Sequence, residues 1–149
     1  MIAIGCDHAG IDLKPHVIEV LEELGLPYQD FGTNGHDRVD YPVYGARAAQ
    51  AVAAGQCEKG IVLCGTGVGI SMAAGKVPGI RCVCCSDCYS ASMSRKHNDA
   101  NMIALGARVV GSELAKMILR IWLTTDFEGE RHGCRVEQIR RLEQGEALE

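Results

Sequence analysis

The chain has 149 residues, 47% hydrophobic and 23% charged, with a formal net charge of -4, a globular balance that excludes a disordered chain. It has no basic stripe for tracking a phosphate polymer, so nucleic acid is excluded as a partner and any anion must be met locally. No run approaches the ~18 consecutive apolar residues of a membrane span.

The start, Met1 to His8, has no basic region and only a short apolar run, unlike a secretory signal. The eight cysteines are therefore expected to be reduced thiols in a cytoplasmic protein. One domain covering 1–149 is expected at this length.

In chain order, Met1 to Gly5 reads as a strand, Ile11 to Leu24 as a helix, Tyr28 to Phe31 as a weaker strand and Pro42 to Ala54 as a helix. Then come a strand at Ile61 to Cys64, a helix at Ile70 to Lys76, a strand at Ile80 to Cys85 and a helix at Ser90 to His97. A strand at Met102 to Val110 and a helix at Ser112 to Thr124 complete the alternation. A polar segment, Asp126 to Gly133, leads into a charged final helix, Val136 to Gly145. Apolar strands separated by helices imply a parallel sheet covered on both faces, a three-layer α/β/α sandwich. Ligands of such sheets gather beyond the carboxyl ends of the strands, where Asp7-His8, Cys64 to Gly69 and Ser86-Asp87 fall.

Gly60 to Ser71 is the most informative stretch: a buried strand ends in Cys64, and Gly65-Thr66-Gly67-Val68-Gly69-Ile70-Ser71 opens a helix. Free N–H groups at such a turn make an anion cradle, and glycines admit a ligand close to the main chain. A cysteine at the strand tip beside a helix N-terminus is suited to act as base or nucleophile. Three other glycine-loop chemistries fail on spacing. The dinucleotide fingerprint needs a glycine where Ile70 stands, and the Walker A loop needs Gly at Ile70 and Ser or Thr at Val77. A cysteine phosphatase loop needs arginine six residues after Cys64, where Ile70 stands again.

Gly5-Cys6-Asp7-His8-Ala9-Gly10, Asp40-Tyr41-Pro42, Cys64 to Gly69, His97-Asn98-Asp99-Ala100-Asn101, Leu105-Gly106-Ala107-Arg108, and Arg131-His132 with Arg135 together resemble the type B ribose-5-phosphate isomerases and their galactose- and allose-phosphate relatives. The likeness runs over nearly the whole chain. It implies a five-stranded Rossmann-like parallel sheet ordered 2-1-3-5-4 and a C-terminal helix. It also implies a homodimer, open to higher assembly, whose active sites draw on both subunits. The implied reaction interconverts ribose 5-phosphate and ribulose 5-phosphate, a pentose phosphate pathway step, through an enediolate with neither metal nor cofactor; the alternatives are an allose-6-phosphate or galactose-6-phosphate isomerase of the same mechanism and, from a different class, a non-catalytic sugar-phosphate binding module. Cys64 would be the base, Thr66 its assistant on the hydroxyl side, and His97 the group that opens the furanose ring. Some relatives use a glutamate further along the loop; this sequence has Gly75 there.

By the same resemblance Asp7, Tyr41 and Asn98 would contact sugar oxygens, and Gly65 to Ser71 would hold the enediolate. His8, Arg131, Arg135 and, across the dimer interface, Arg108 would hold the phosphate. Arginine's planar fork suits phosphate, and four-residue spacing aligns Arg131 with Arg135 if that segment is helical. Read alone, Asp7 is an ordinary helix cap, His97 a polar cap and the arginines solvated surface. Cys82, Cys84, Cys85 and Cys88 contain a C-x-x-C that could suggest zinc or redox chemistry, but Cys82 and Cys84 share one strand face and Cys85 takes the other, so no metal is expected and most of them are expected to pack as small hydrophobes. His16, His36 and His132 carry no assigned role.

Overall fold

A computed structural model describes residues 1–149. Strand β1, Ile2–Cys6, is followed by α1 (Lys14–Glu23), β2 (Tyr28–Asp30), α2 (Tyr41–Ala53), β3 (Lys59–Cys64) and α3 (Val68–Gly75). Then come β4 (Cys82–Cys84), α4 (Cys88–Lys96), β5 (Met102–Gly106), α5 (Ser112–Thr124) and α6 (Arg131–Glu143). All strand pairs are parallel and the order is β2-β1-β3-β5-β4, as the resemblance implied.

The period-2 geometry of the central strands divides the core into two layers. Ile2, Ile4, Ile61, Leu63, Ile103 and Leu105 pack against Val17, Leu21, Ile118 and Trp122 of α1 and α5, with Ala91 of α4. The alternate residues Ala3, Val62, Cys64, Met102 and Ala104 pack against α2 and α3 through Ala48, Val52, Ile70 and Ala74. Cys64 therefore points into the layer that α2 and α3 cover, among alanines, Val62 and Ile70. Burying a fully enclosed Leu or Ile contributes about 1.5–3 kcal/mol each, and Ile4, Leu21, Ile61 and Leu105 are completely enclosed.

Most element ends shift by one to three residues from the sequence expectation, and for β4, β5 and α6 the local cause is visible. The fourth strand spans only Cys82–Cys84 rather than Ile80 to Cys85, because Ile80 N–H closes a turn on Val77 O and Arg81 N–H donates to the Asn101 side chain. The fifth stops at Gly106 rather than Val110, where Val109 and Val110 N–H both turn back to Gly106 O. The last helix begins at Arg131 rather than Val136. Gly129 and Glu130 both take positive φ, 68° and 51°, and so turn the chain abruptly into the helix. Gly133 lies inside the first turn despite its low helix propensity.

Helix α6 lies beside the β4 edge near the amino ends of the strands. Glu143 accepts from Gly79 N–H at 3.0 and 3.1 Å, and Ile139 lines a shared cavity with Gly75, Ile80 and Cys82. All eight cysteines are free thiols, and burial pushes Cys82 up to about 12 and Cys85 up to about 11. Cys84 and Cys64 are on strands separated by β5, roughly 10 Å sideways at ordinary strand spacing, beyond disulfide reach without backbone movement. No helix is long and apolar enough to cross a membrane.

Candidate active site

The sequence-selected residues gather at two separate places. The first lies beyond the carboxyl ends of β1, β3 and β5. Cys64, 4% exposed, closes β3, and Gly67 N–H donates to its Sγ at 3.1 Å. Gly67 adopts φ 80°, and a Cβ there would lie 2.9 Å from Leu105 C, so this turn requires glycine on both conformation and space. Thr66 Oγ1 accepts from Val68 N–H at 3.2 Å, and Ser71 Oγ donates to Val68 O. The first intrahelical donor is Ser71 N–H, to Gly67 O. None of Val68, Gly69 and Ile70 N–H gains an acceptor from its helix position; Val68 finds Thr66 Oγ1, which leaves Gly69 and Ile70.

Asp7, Tyr41 and Arg108 border this loop, and His8 follows Asp7 beyond the end of β1. Asp7 N–H donates to Leu63 O, which pins the end of β1 beside that of β3, while Asp7 Oδ1 accepts from Ala9 and Gly10 N–H at 2.9 Å each. Asp7 is thus not the helix cap the sequence suggested, since α1 starts at Lys14 with Leu13 at its N-cap; Oδ1 is committed instead to the turn that follows β1. His8 Nδ1 accepts from Val39 N–H at 3.2 Å, a bond that leaves the proton on Nε2. The Tyr41 ring lies over Gly69: a Cβ on Gly69 would stand 2.7 Å from Tyr41 Cζ. The Arg108 guanidinium covers Gly65, its Nη1 3.3 Å from where a Cβ would be, and Arg108 N–H donates to Gly65 O.

The second place lies near the amino ends of the strands. Because α4 runs antiparallel to β4 and β5, its C-cap His97 is carried the length of the helix away from the Cys64 side, about 13 Å at 1.5 Å per residue. His97 N–H is fixed on Met93 O at 2.8 Å. Asn98 and Asp99 follow in a turn that two arginines hold. Arg81 donates to Asn98 O and Asp99 O, and Arg95 Nη1 donates to Asp99 Oδ1 and Ala100 O. Asp99 has φ 46°, which this double clamp sustains. Arg131 and Arg135 are exposed on the first turns of α6, four residues apart as the helical reading required.

One member of this group, His132, belongs to a sequence motif but has no role assigned from sequence. His132 is buried, and its ring stacks on His97 with centroids 4.2 Å apart and planes 14° from parallel. Its Nε2 has no hydrogen-bond partner and lies 3.8 Å from Glu128 Oε2. Burial holds its protonation below the usual imidazole range, with the charges of His97 and Arg131 adding to this and Glu128 opposing. A lone histidine between two arginines shows no pattern until α6 is known to begin at Arg131.

A profile of the Ribose/Galactose Isomerase family matches residues 2–139. The chain is 54% identical to ribose-5-phosphate isomerase B of Escherichia coli over 96% of each chain. It is 46% identical to a D-erythrulose-4-phosphate isomerase of Pectobacterium atrosepticum, over 93% of this chain and 91% of that one. The solved structure of Clostridium thermocellum ribose-5-phosphate isomerase B superposes with a TM-score of 0.94 at 51% identity, covering 97% of both chains. With the 2-1-3-5-4 sheet and the cysteine-glycine loop already in place, these matches establish that the chain belongs to the ribose/galactose isomerase family.

Proposed function

We propose that the chain interconverts D-ribose 5-phosphate and D-ribulose 5-phosphate through an enediolate, with Cys64 as the base. The observation that carries this reading is the donation from Gly67 N–H to Cys64 Sγ, at the floor of a loop that leads into the N-terminus of α3. A proton α to a carbonyl is weakly acidic, so its removal needs a placed base together with fixed donors for the developing oxyanion. Cys64 takes the C2 proton and returns it to C1. The electron pair released at C2 rests in the enediolate, facing Gly69 and Ile70 N–H. Thr66 assists transfer of the O2 proton to O1, leaving a C2 ketone. The site also has Asp7 and Tyr41 for sugar hydroxyls.

His97 opens the furanose before enolisation. The C1–O4 bond breaks, its electron pair stays on O4, which takes a proton, and the anomeric hydroxyl releases one as C1 becomes the aldehyde. Asn98 binds a sugar oxygen. The phosphate is held by His8 Nε2–H, Arg108, Arg131 and Arg135, since guanidinium forks match its oxygens.

One chain separates Cys64 from His97, so we infer a homodimer in which each site pairs the cysteine loop of one subunit with the His97 cluster of its partner. Apolar surface around the loop supports this. Helix α3 carries almost only apolar and small residues, a composition suited to burial on every side, yet Val68 and Met72 are 46% and 64% exposed, with Tyr41, Val43 and Val109 exposed nearby. The setting remains the cytoplasm.

A second reading keeps the mechanism and changes the sugar. It is favoured by the family's galactose members and by the 46% identical isomerase of a four-carbon sugar phosphate. The test is conversion of ribose 5-phosphate by chelator-treated protein, wild type beside Cys64→Ala, with solvent deuterium entering the sugar. Conversion with deuterium uptake, both abolished by Cys64→Ala, supports the reading. Activity confined to four- or six-carbon sugar phosphates replaces the substrate, and a fully active Cys64→Ala removes the base.

A further inference from the structure

We propose that His132 is a positioning residue for His97, acting through the stacked ring face, and that its contribution is confined to opening the sugar ring. This rests on the isomerase reading given above. Three features of the cluster lead to it. The rings are close and nearly parallel, 4.2 Å and 14°. His132 is only 5% exposed, whereas His97 is half-buried and presents its remaining surface outward. Finally, two ties bind the chain before α6 to the end of α4: Glu128 N–H donates to Lys96 O at 3.1 Å, and Lys96 Nζ stands 3.8 Å from Glu128 Oε1. Helix α6 is thereby registered on α4 next to the residue whose ring needs support.

A buried ring nitrogen without a hydrogen-bond partner is costly and calls for an explanation. As an imidazole, His132 offers a flat π face at van der Waals distance. Its Nε2 gains nothing from the chain beyond Glu128 at 3.8 Å. The charged groups facing it are Arg131, Arg135, His97 and Glu128, of which three are cationic or become so. That environment, with burial, keeps His132 neutral. A neutral ring face beside His97 is the arrangement that accommodates an imidazolium when His97 carries the proton, because two stacked cations would repel. His132 needs no contact with the sugar to do this. It restricts the orientation of His97 at a helix end, where the side chain would otherwise turn among its rotamers.

The chemistry separates this role from the others. Ribose 5-phosphate is mainly a ring and must be opened, whereas ribulose 5-phosphate has its carbonyl at C2 and the only oxygen that could close a furanose on it, O5 on the γ carbon, is esterified, so it is open-chain. Exchange of its C1 protons with solvent deuterium uses Cys64 without ring opening. In the full-length protein, His132→Asn should lower kcat on ribose 5-phosphate by roughly 10- to 100-fold, the cost of misplacing a catalytic group. The deuterium exchange rate of ribulose 5-phosphate should stay within about twofold of wild type, since that route bypasses His97. His132→Phe, which keeps a flat ring and removes both nitrogens, should recover most of the aldose rate. In a His97→Asn background, His132→Asn should cost nothing further, because the two residues act as one unit.

The proposal is overturned if His132→Asn reduces both assays equally, or raises KM alike for both sugars, since either marks a fold or phosphate role. It is also overturned if His132→Phe is as impaired as His132→Asn, or if neither assay changes. A wild type that neither converts nor exchanges would instead overturn the isomerase reading on which the proposal stands.

Discussion

Cys64 closes β3 at the carboxyl ends of the strands, and His97 closes α4 toward their amino ends, so one chain holds the two candidate centres apart by the length of a helix. The parallel crossover enforces this, because a helix joining two parallel strands must return its C-terminus to the start of the next strand. Each centre is nevertheless firmly built. The cysteine loop is braced by Gly67, Tyr41 and Arg108, and the histidine turn by Arg81 and Arg95.

The close approach of β5 to the loop makes Gly106 a sensitive position. A Cβ there would stand 2.5 Å from Thr66 C and O, and backbone atoms cannot swing aside as a side-chain end can. Gly106→Ala should destabilise the protein by about 1–3 kcal/mol, the range for forced overpacking, and should displace Thr66. Urea unfolding checks the first effect, and a fall in kcat larger than any rise in KM checks the second.

Lys14 is a buried ammonium with complete hydrogen bonding. Its Nζ donates to Asp30 Oδ2 at 2.7 Å, Thr33 O at 2.6 Å and Asn34 Oδ1 at 3.0 Å, fastening the loop after β2 to α1. Lys14→Met removes the charge but leaves Asp30, so about 3 kcal/mol of stability should be lost. Asp30→Asn introduced together with Lys14→Met should recover part of it. A urea-unfolding double-mutant cycle measures both.

His132 also gives a pH signature. Its folded-state protonation lies below the usual range, because burial, then His97 and Arg131, disfavour the charged ring. The unfolded chain takes that proton near ~6.5 while the folded chain does not. Falling pH therefore favours unfolding, and stability present above ~6.5 is lost as pH drops below it toward the folded value. His132→Phe cannot take up this proton, so its stability should decline less steeply over that range. Urea midpoints for both proteins across the window test it; parallel declines would contradict the assignment.

Much of this was legible in the sequence. Apolar runs located β1, β3 and β5, and the Cys64-to-Ser71 motif placed the loop on the correct edge, because strand-tip glycines and a following helix are local features. What lay hidden depends on tertiary contacts. The start of α6 was obscured by Gly133, a poor helix former, and by Glu130, whose φ of 51° no propensity foretells. His132 acquired significance only when α6 was found to begin at Arg131 and to carry the ring onto His97. Lys14, a residue with no particular sequence signal, is buried because Asp30, Thr33 and Asn34 converge on it from some twenty residues away. Asp99 and Asn101, quoted as motif residues, brace the turn: Asp99 accepts from Arg95, and Asn101 bonds to Arg81 and Gly79.

The central claim is that Cys64 of one subunit works with His97 of another, and subunit mixing tests it most directly. Cys64→Ala and His97→Asn proteins, each nearly inactive on ribose 5-phosphate, are unfolded together, refolded and assayed. Random pairing gives hybrid dimers in which one of the two sites is intact, so about one quarter of wild-type activity should return. A mixture no more active than its parents, with hybrid dimers confirmed by native mass spectrometry, would contradict the shared site.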